Sequence, residues 1–132
     1  MTDNQLLQAA KDAMQNAYAP YSDYRVGAAL LCEDGTIYTG CNIENASFGV
    51  TNCAERTALF KAVSEGRRTF TAIAVVGGKD GICTDFAMPC GACRQALSEF
   101  CDGTFRIVLG TDDGQVQVYT LAELLPGAFR LE

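Results

Sequence analysis

The residues with the most chemistry in them form two short runs, Cys53-Ala54-Glu55-Arg56 and Pro89-Cys90-Gly91-Ala92-Cys93-Arg94-Gln95. Cys90 and Cys93 are three positions apart, so on one helical turn their sulfurs share a face. Zn2+ takes thiolates as ligands, and three protein ligands with a fourth position open to water mark a catalytic site. Cys53 supplies the third sulfur. Each run is expected to open a helix, Pro89 at the first turn of one and Thr51 or Asn52 capping the other. A helix N-terminus favours the thiolate over the thiol. Glu55 stands two residues beyond Cys53 and off its face, which suits a carboxylate beside the metal better than a fourth ligand. Three thiolates on Zn2+ leave a net charge of about −1. Arg56, three residues after Cys53 and on its face, is placed to hydrogen-bond the sulfurs and offset that charge.

Each of these residues also has a plainer use. Arg56 could pair with Glu65 on the surface, Cys83 or Cys101 could close a structural four-sulfur site, and Cys90 with Cys93 could be a redox pair. The absence of histidine narrows the field. Without imidazole, any acid–base step falls to Glu, Asp, Lys, Tyr or Cys.

The elements that must position these groups are legible as periodicity. Thr2 and Gln5 have capping-box spacing, and Leu6, Leu7, Ala10, Ala13, Met14 and Ala17 recur at helical intervals, so a helix is expected over 4–17. A loop holding Tyr18, Tyr21 and Tyr24 follows. Arg25 to Cys32, the turn Glu33-Asp34-Gly35 and the alternating Thr36 to Cys41 read as an antiparallel hairpin. The polar connection 42–52 offers Asn42, Glu44 and Asn45 either to a ligand or to local turns. A helix is expected over 53–65, stopped by Gly66, then a strand over 69–76, a loop over 77–88 and a helix from Pro89 to about Cys101. Strands over 105–109 and 116–119 precede a short last helix begun by the Thr120–Glu123 capping box. The order implies an α/β fold, a three-layer α/β/α arrangement around a mixed sheet of about five strands, with active groups at helix starts beyond strand ends.

At 132 residues the chain is expected to form one catalytic domain over 1–132. A net charge of −6 argues against gripping nucleic acid, which calls for clustered Lys and Arg. A small neutral ligand is the easier partner. No apolar run approaches the roughly 20 residues of a membrane span, and Met1-Thr2-Asp3-Asn4 lacks a signal-peptide pattern, so a cytoplasmic protein is expected. Seven cysteines, an odd number, disfavour a disulfide framework. Cys32, Cys41, Cys83 and Cys101 are expected to be small buried hydrophobes.

From about Ala17 to Phe129 the sequence resembles the cytidine deaminases of the short, homotetrameric kind. The resemblance rests on Tyr18-Ala19-Pro20-Tyr21-Ser22, Val26-Gly27-Ala28-Ala29, Gly40-Cys41-Asn42-Ile43-Glu44-Asn45-Ala46, Cys53-Ala54-Glu55-Arg56 and the Pro89–Gln95 run. It implies one Zn2+ per chain on Cys53, Cys90 and Cys93, and water attack at C4 of the pyrimidine. Glu55 would carry a proton to N3 and then to the departing ammonia. It gives Asn42 and Glu44 to the ribose hydroxyls, and Tyr24 and Ala54 to the nucleoside. Phe129 would cross a subunit interface toward the bound ring. Two positions depart from the family pattern: Tyr24 stands where relatives usually carry Phe, and Phe48 where they commonly carry Tyr. The rivals are a closed zinc module that only binds a partner, and a deaminase acting on cytosines in RNA or DNA.

Overall fold

The computed structural model describes residues 1–131. Five strands form one sheet in the order β2-β1-β3-β4-β5, with β1 Tyr24–Cys32, β2 Ile37–Cys41, β3 Phe70–Lys79, β4 Arg106–Gly110 and β5 Val116–Thr120. Only β3 and β4 run parallel; the other neighbours are antiparallel, so the sheet is mixed as expected. The parallel pair is joined through the helix α3 Gly91–Phe100, the crossover that parallel strands require.

The central strands are buried on both faces, and their period of two divides two cores. Ile73, Val75, Ile107, Leu109, Ala28 and Leu30 pack with Ala58, Leu59 and Ala62 of α2 Ala54–Ser64 and Leu97 of α3. Ala29, Ala72, Ala74 and Val108 face the other way, against Leu6, Leu7, Ala10 and Met14 of α1 Asp3–Met14. The short α4 Leu121–Leu124 joins the first core through Leu121 and Leu124. One helix on one face and three on the other complete the three layers. Both capping boxes form: Thr2 with Gln5, and Thr120 with Glu123.

Most boundaries fall within a residue or two of the sequence reading, and the larger shifts have tertiary reasons. The first helix stops at Met14, because Tyr18 leaves it to bridge Ile43. The third strand runs on through Gly77 and Gly78 to Lys79, where a loop was expected, since these residues pair with Val26, Arg25 and Tyr24. Gly78 has no room for a side chain: a Cβ there would sit 1.9 Å from the Ile82 carbonyl oxygen. The cap of α2 is Cys53 in place of Thr51 or Asn52, and that of α3 is Cys90, which leaves Pro89 just before the helix instead of in its first turn.

Candidate metal centre and pocket

The C-terminal ends of β2 and β3 and the start of β1 lie at one end of the sheet, since Gly27 pairs with Cys41 and Tyr24 with Lys79. The chains leaving those ends enter α2 and α3, so both helix N-termini converge there. Crevices beyond strand ends are where open α/β sheets take ligands.

Two close approaches fix the helices. A Cβ on Gly40 would lie 2.5 Å from the Ala54 carbonyl oxygen and 2.5 Å from the Ala58 nitrogen, so β2 meets the first turn of α2 backbone to backbone. The turn before α3 is held by Arg94, whose Nε donates to the Pro89 carbonyl at 2.7 Å and Nη1 to the Leu124 carbonyl at 2.8 Å.

The three sulfurs of Cys53, Cys90 and Cys93 come together within 4.8 Å of one another. Cys53 Sγ lies 3.6 Å from Cys90 Sγ, which lies 3.5 Å from Cys93 Sγ. Tetrahedral Zn–S bonds of about 2.3 Å set sulfurs about 3.8 Å apart, so the cluster matches the size that zinc demands. Arg56 Nη2 donates to Cys53 Sγ at 3.3 Å, while its Nε is buried without a protein partner. The guanidinium thus sets its positive charge beside the Cys53 sulfur. The Glu65 carboxylate, its sequence-level alternative, instead accepts from Tyr38 Oη.

The surroundings of Cys53 favour its thiolate. The hydrogen bond from Cys93 and then that from Arg56 bring the Cys53 thiol down to about 5, against an opposing desolvation effect. The Cys93 thiol is pushed up by that same bond to Cys53 and by burial. Cys83 and Cys101 stand apart. Cys83 Sγ donates to Met14 Sδ at 3.7 Å in the α1 layer. Cys101 follows the last turn of α3, about 12 Å along the axis from Cys93, with its thiol raised to about 12 by burial. Among the described residues the three-sulfur group is the one cluster sized for a metal, so the closed four-sulfur alternative is not realised.

Glu55 occupies the first turn of α2 and is 4% exposed. Burial is the main cause that raises its carboxyl to about 7, with the Cys53 charge adding to it. A carboxyl in that range both takes and gives protons near neutrality.

Beside the sulfurs lies a pocket of about 330 Å³ lined by Tyr24, Asn42, Glu44, Cys53, Ala54, Glu55 and Cys90. Asn42, Ile43 and Glu44 are extended, held between Tyr18 and Asn52: Tyr18 N donates to Asn42 O, Glu44 N to Tyr18 O, and Ile43 and Asn52 exchange two bonds. Extended backbone sends residues two apart to the same side, which puts Asn42 and Glu44 on the pocket wall and leaves Ile43 out of it. Asn42 is pinned to β1, its Oδ1 accepting from Val26 N at 2.9 Å and its Nδ2 donating to Tyr24 O at 2.8 Å. Asn45 serves locally, its Oδ1 accepting from Ser47 N.

The sequence reading missed Ser22, Thr51 and the apolar floor of Val26, Val75, Phe86 and Ala87. Phe86 and Ala87 belong to the stretch after β3, where neither period operates. For Glu44 the alternation Asn-Ile-Glu was the available signal. Phe129 is not brought to this pocket: the residue is 68% exposed, and its carbonyl accepts from Gln95 Nε2 at 3.0 Å. Phe48, the other departing position, is 80% exposed.

Residues 1–111 match the model of the cytidine and deoxycytidylate deaminase zinc-binding region. The chain is 53% identical to a cytidine deaminase of Sporosarcina psychrophila over 132 residues, all of this chain and 94% of that protein. It is 52% identical to one of Halalkalibacterium halodurans, covering 97% of it. The crystal structure of cytidine deaminase from Burkholderia pseudomallei superposes with a TM-score of 0.91 at 50% identity, over 98% of this chain and 100% of that one. That from Mycobacterium tuberculosis gives 0.81 at 40%, over 99% of each. A mixed five-stranded sheet, three sulfurs at two helix starts and a match over the whole length lead to one conclusion: the chain belongs to the cytidine deaminase family.

Proposed function

We propose that this chain is a zinc-dependent hydrolase that converts cytidine and 2′-deoxycytidine to uridine and 2′-deoxyuridine with release of ammonia. The observation that carries the proposal is the convergence of three sulfurs and a buried carboxyl on one pocket with a polar wall. The family match and the spacing of the sulfurs fit one zinc per chain, with Cys53, Cys90 and Cys93 as its ligands. A zinc ion held there supplies Lewis-acid activation of water.

Glu55 is the proton carrier. Its carboxyl, held near neutrality by burial, accepts a proton from the attacking water and delivers it to N3 of the pyrimidine. It then takes the proton of the new C4 hydroxyl and passes it to the amino nitrogen, so that the C4–N4 bond breaks, a C4 carbonyl forms and ammonia leaves. Asn42 and Glu44 bind sugar hydroxyls, while Tyr24 and the Ala54 backbone bound the space for the base. Arg56 offsets the thiolate charge and keeps Cys53 ionised. The 132 residues act as one catalytic unit.

We further propose a cytoplasmic homotetramer in which Phe129 of one chain closes a neighbour's pocket. The exposure of Phe129, Phe48 and Val50 supports an interface there, and light scattering reads the mass directly. Among the described residues no helix is long and apolar enough to cross a membrane.

The deciding experiment follows the ultraviolet absorbance of cytidine incubated with purified protein, with zinc measured per chain. Conversion to uridine with one zinc per chain is expected. Zinc without turnover would overturn the substrate, and absence of zinc would overturn the ligand set.

A further inference from the structure

The Glu44 carboxylate is gripped by the loop that precedes β1. Its Oε1 accepts from Tyr21 N at 3.0 Å and from Ser22 N at 3.2 Å, and its Oε2 accepts from Ser22 Oγ in a short hydrogen bond. That Oγ in turn accepts from Tyr24 N at 3.0 Å. An ionised carboxylate offers about four lone-pair positions, so three are filled and one is left. The Ser22 hydroxyl is also the first cause that holds the Glu44 carboxyl below its ordinary range. Ser22 and Glu44 both line the pocket beside the sulfurs.

The loop that presents Ser22 is itself fixed. Asp23, the next residue, sits in the left-handed region at φ 58°, uncommon for a residue other than glycine. Its N–H donates to Ala19 O at 3.0 Å, and its carbonyl accepts from Asp80 N at 2.7 Å. The first bond closes the loop on itself and the second ties it to the end of β3, with Ser22 facing Glu44.

We infer that Ser22 is a positioning residue for sugar recognition: its hydroxyl orients the Glu44 carboxylate so that one lone pair, in one direction, meets a hydroxyl donor on the sugar. Ser22 acts on the substrate through Glu44, since its single proton is committed to that carboxylate. Selectivity at the sugar is therefore set by the pair, Ser22 acting through Glu44. The inference rests on the sugar-binding role proposed above for Glu44.

The test is steady-state kinetics of Ser22→Ala, Ser22→Thr and Glu44→Ala with cytidine, 2′-deoxycytidine and 3′-deoxycytidine, with thermal melting and zinc content verifying each fold. Loss of one bond to a charged group predicts that Ser22→Ala raises KM for cytidine about tenfold with kcat little changed. The analogue lacking the recognised hydroxyl is insensitive to the change, so its handicap in kcat/KM relative to cytidine shrinks about tenfold. Ser22→Thr, which keeps the hydroxyl, restores the wild-type ratio. If Ser22→Ala weakens all three substrates equally, Ser22 only holds the loop and the inference fails. If Glu44→Ala abolishes the discrimination while Ser22→Ala preserves it, the inference fails and the role of Glu44 survives. If Glu44→Ala leaves both ratios as in the wild type, the sugar-binding role of Glu44 fails, and the inference with it.

Discussion

At the scale of single residues, burial decides what Glu55 can do. An exposed glutamate is ionised at neutral pH and gives no proton, whereas Glu55 is held near 7 mainly by loss of solvent. Replacing the carboxyl by an amide of the same shape removes proton transfer and leaves the packing. Glu55→Gln is therefore expected to melt like the wild type and retain zinc. Its kcat should fall by about 10²–10⁴, the usual span for a lost general acid–base; turnover near wild type would remove Glu55 from the mechanism. Cys90→Ala deletes the sulfur that lies 3.6 Å from Cys53 Sγ and 3.5 Å from Cys93 Sγ. Zinc per chain, measured after dialysis, should drop from one toward none. Arg56→Gln keeps the ligands and loses the charge, so zinc affinity in a chelator competition should weaken about 10–100-fold.

At the scale of elements, the site exists because two helices begin where two strands end. Neither helix start carries a Ser, Thr, Asp or Asn cap; Cys53 and Cys90 occupy those positions, and neither side chain makes a cap hydrogen bond. The conventional cap signals therefore mislead here. The glycine at position 40 sets how closely α2 approaches the sheet. Gly40→Ala drives a methyl group into the backbone at Ala54 and Ala58, which shifts the first turn that bears Cys53 and Glu55. An overpacked contact of this kind costs about 1–3 kcal/mol. The expected result is a lowered melting temperature together with reduced zinc content, whereas the same change at exposed Gly49 should alter neither.

At the scale of the whole molecule, stability in acid depends on how its surface carboxylates are held. Asp34 is brought down to about 2, first by the Thr36 backbone N–H and then by the Arg67 guanidinium. A carboxyl whose folded value lies below its unfolded value of about 3.8 stabilises the fold above that value. That contribution disappears as pH falls through about 2. Urea midpoints should thus decline between pH 4 and pH 2, and the decline should be shallower in Asp34→Asn; equal slopes would show that Asp34 is uncoupled from folding. Because Asp34 is exposed and across the sheet hairpin from the sulfurs, the difference between the two proteins isolates it from acid release of metal.

Much was determined by the sequence alone. Periods of 3.6 and 2 are written in adjacent residues, so the helices, the hairpin, both capping boxes and the mixed α/β order could be read directly. The absence of histidine confined any acid–base step to Glu, Asp, Lys, Tyr or Cys, and the Cys-x-x-Cys spacing pointed to a metal. Tertiary structure decided the rest, because it depends on which distant segments meet. Sheet pairing extended β3 through two glycines, and the bridge from Tyr18 to Ile43 ended α1 early. The order of the strands brought Cys53 to Cys90 across 37 positions, while the opposite face of the sheet took Cys83 away with Met14. Local periodicity carries no record of these distances. It also carries none of the desolvation that tunes Glu55, or of the loop that turns Ser22 toward Glu44, since both arise only when separate elements pack together.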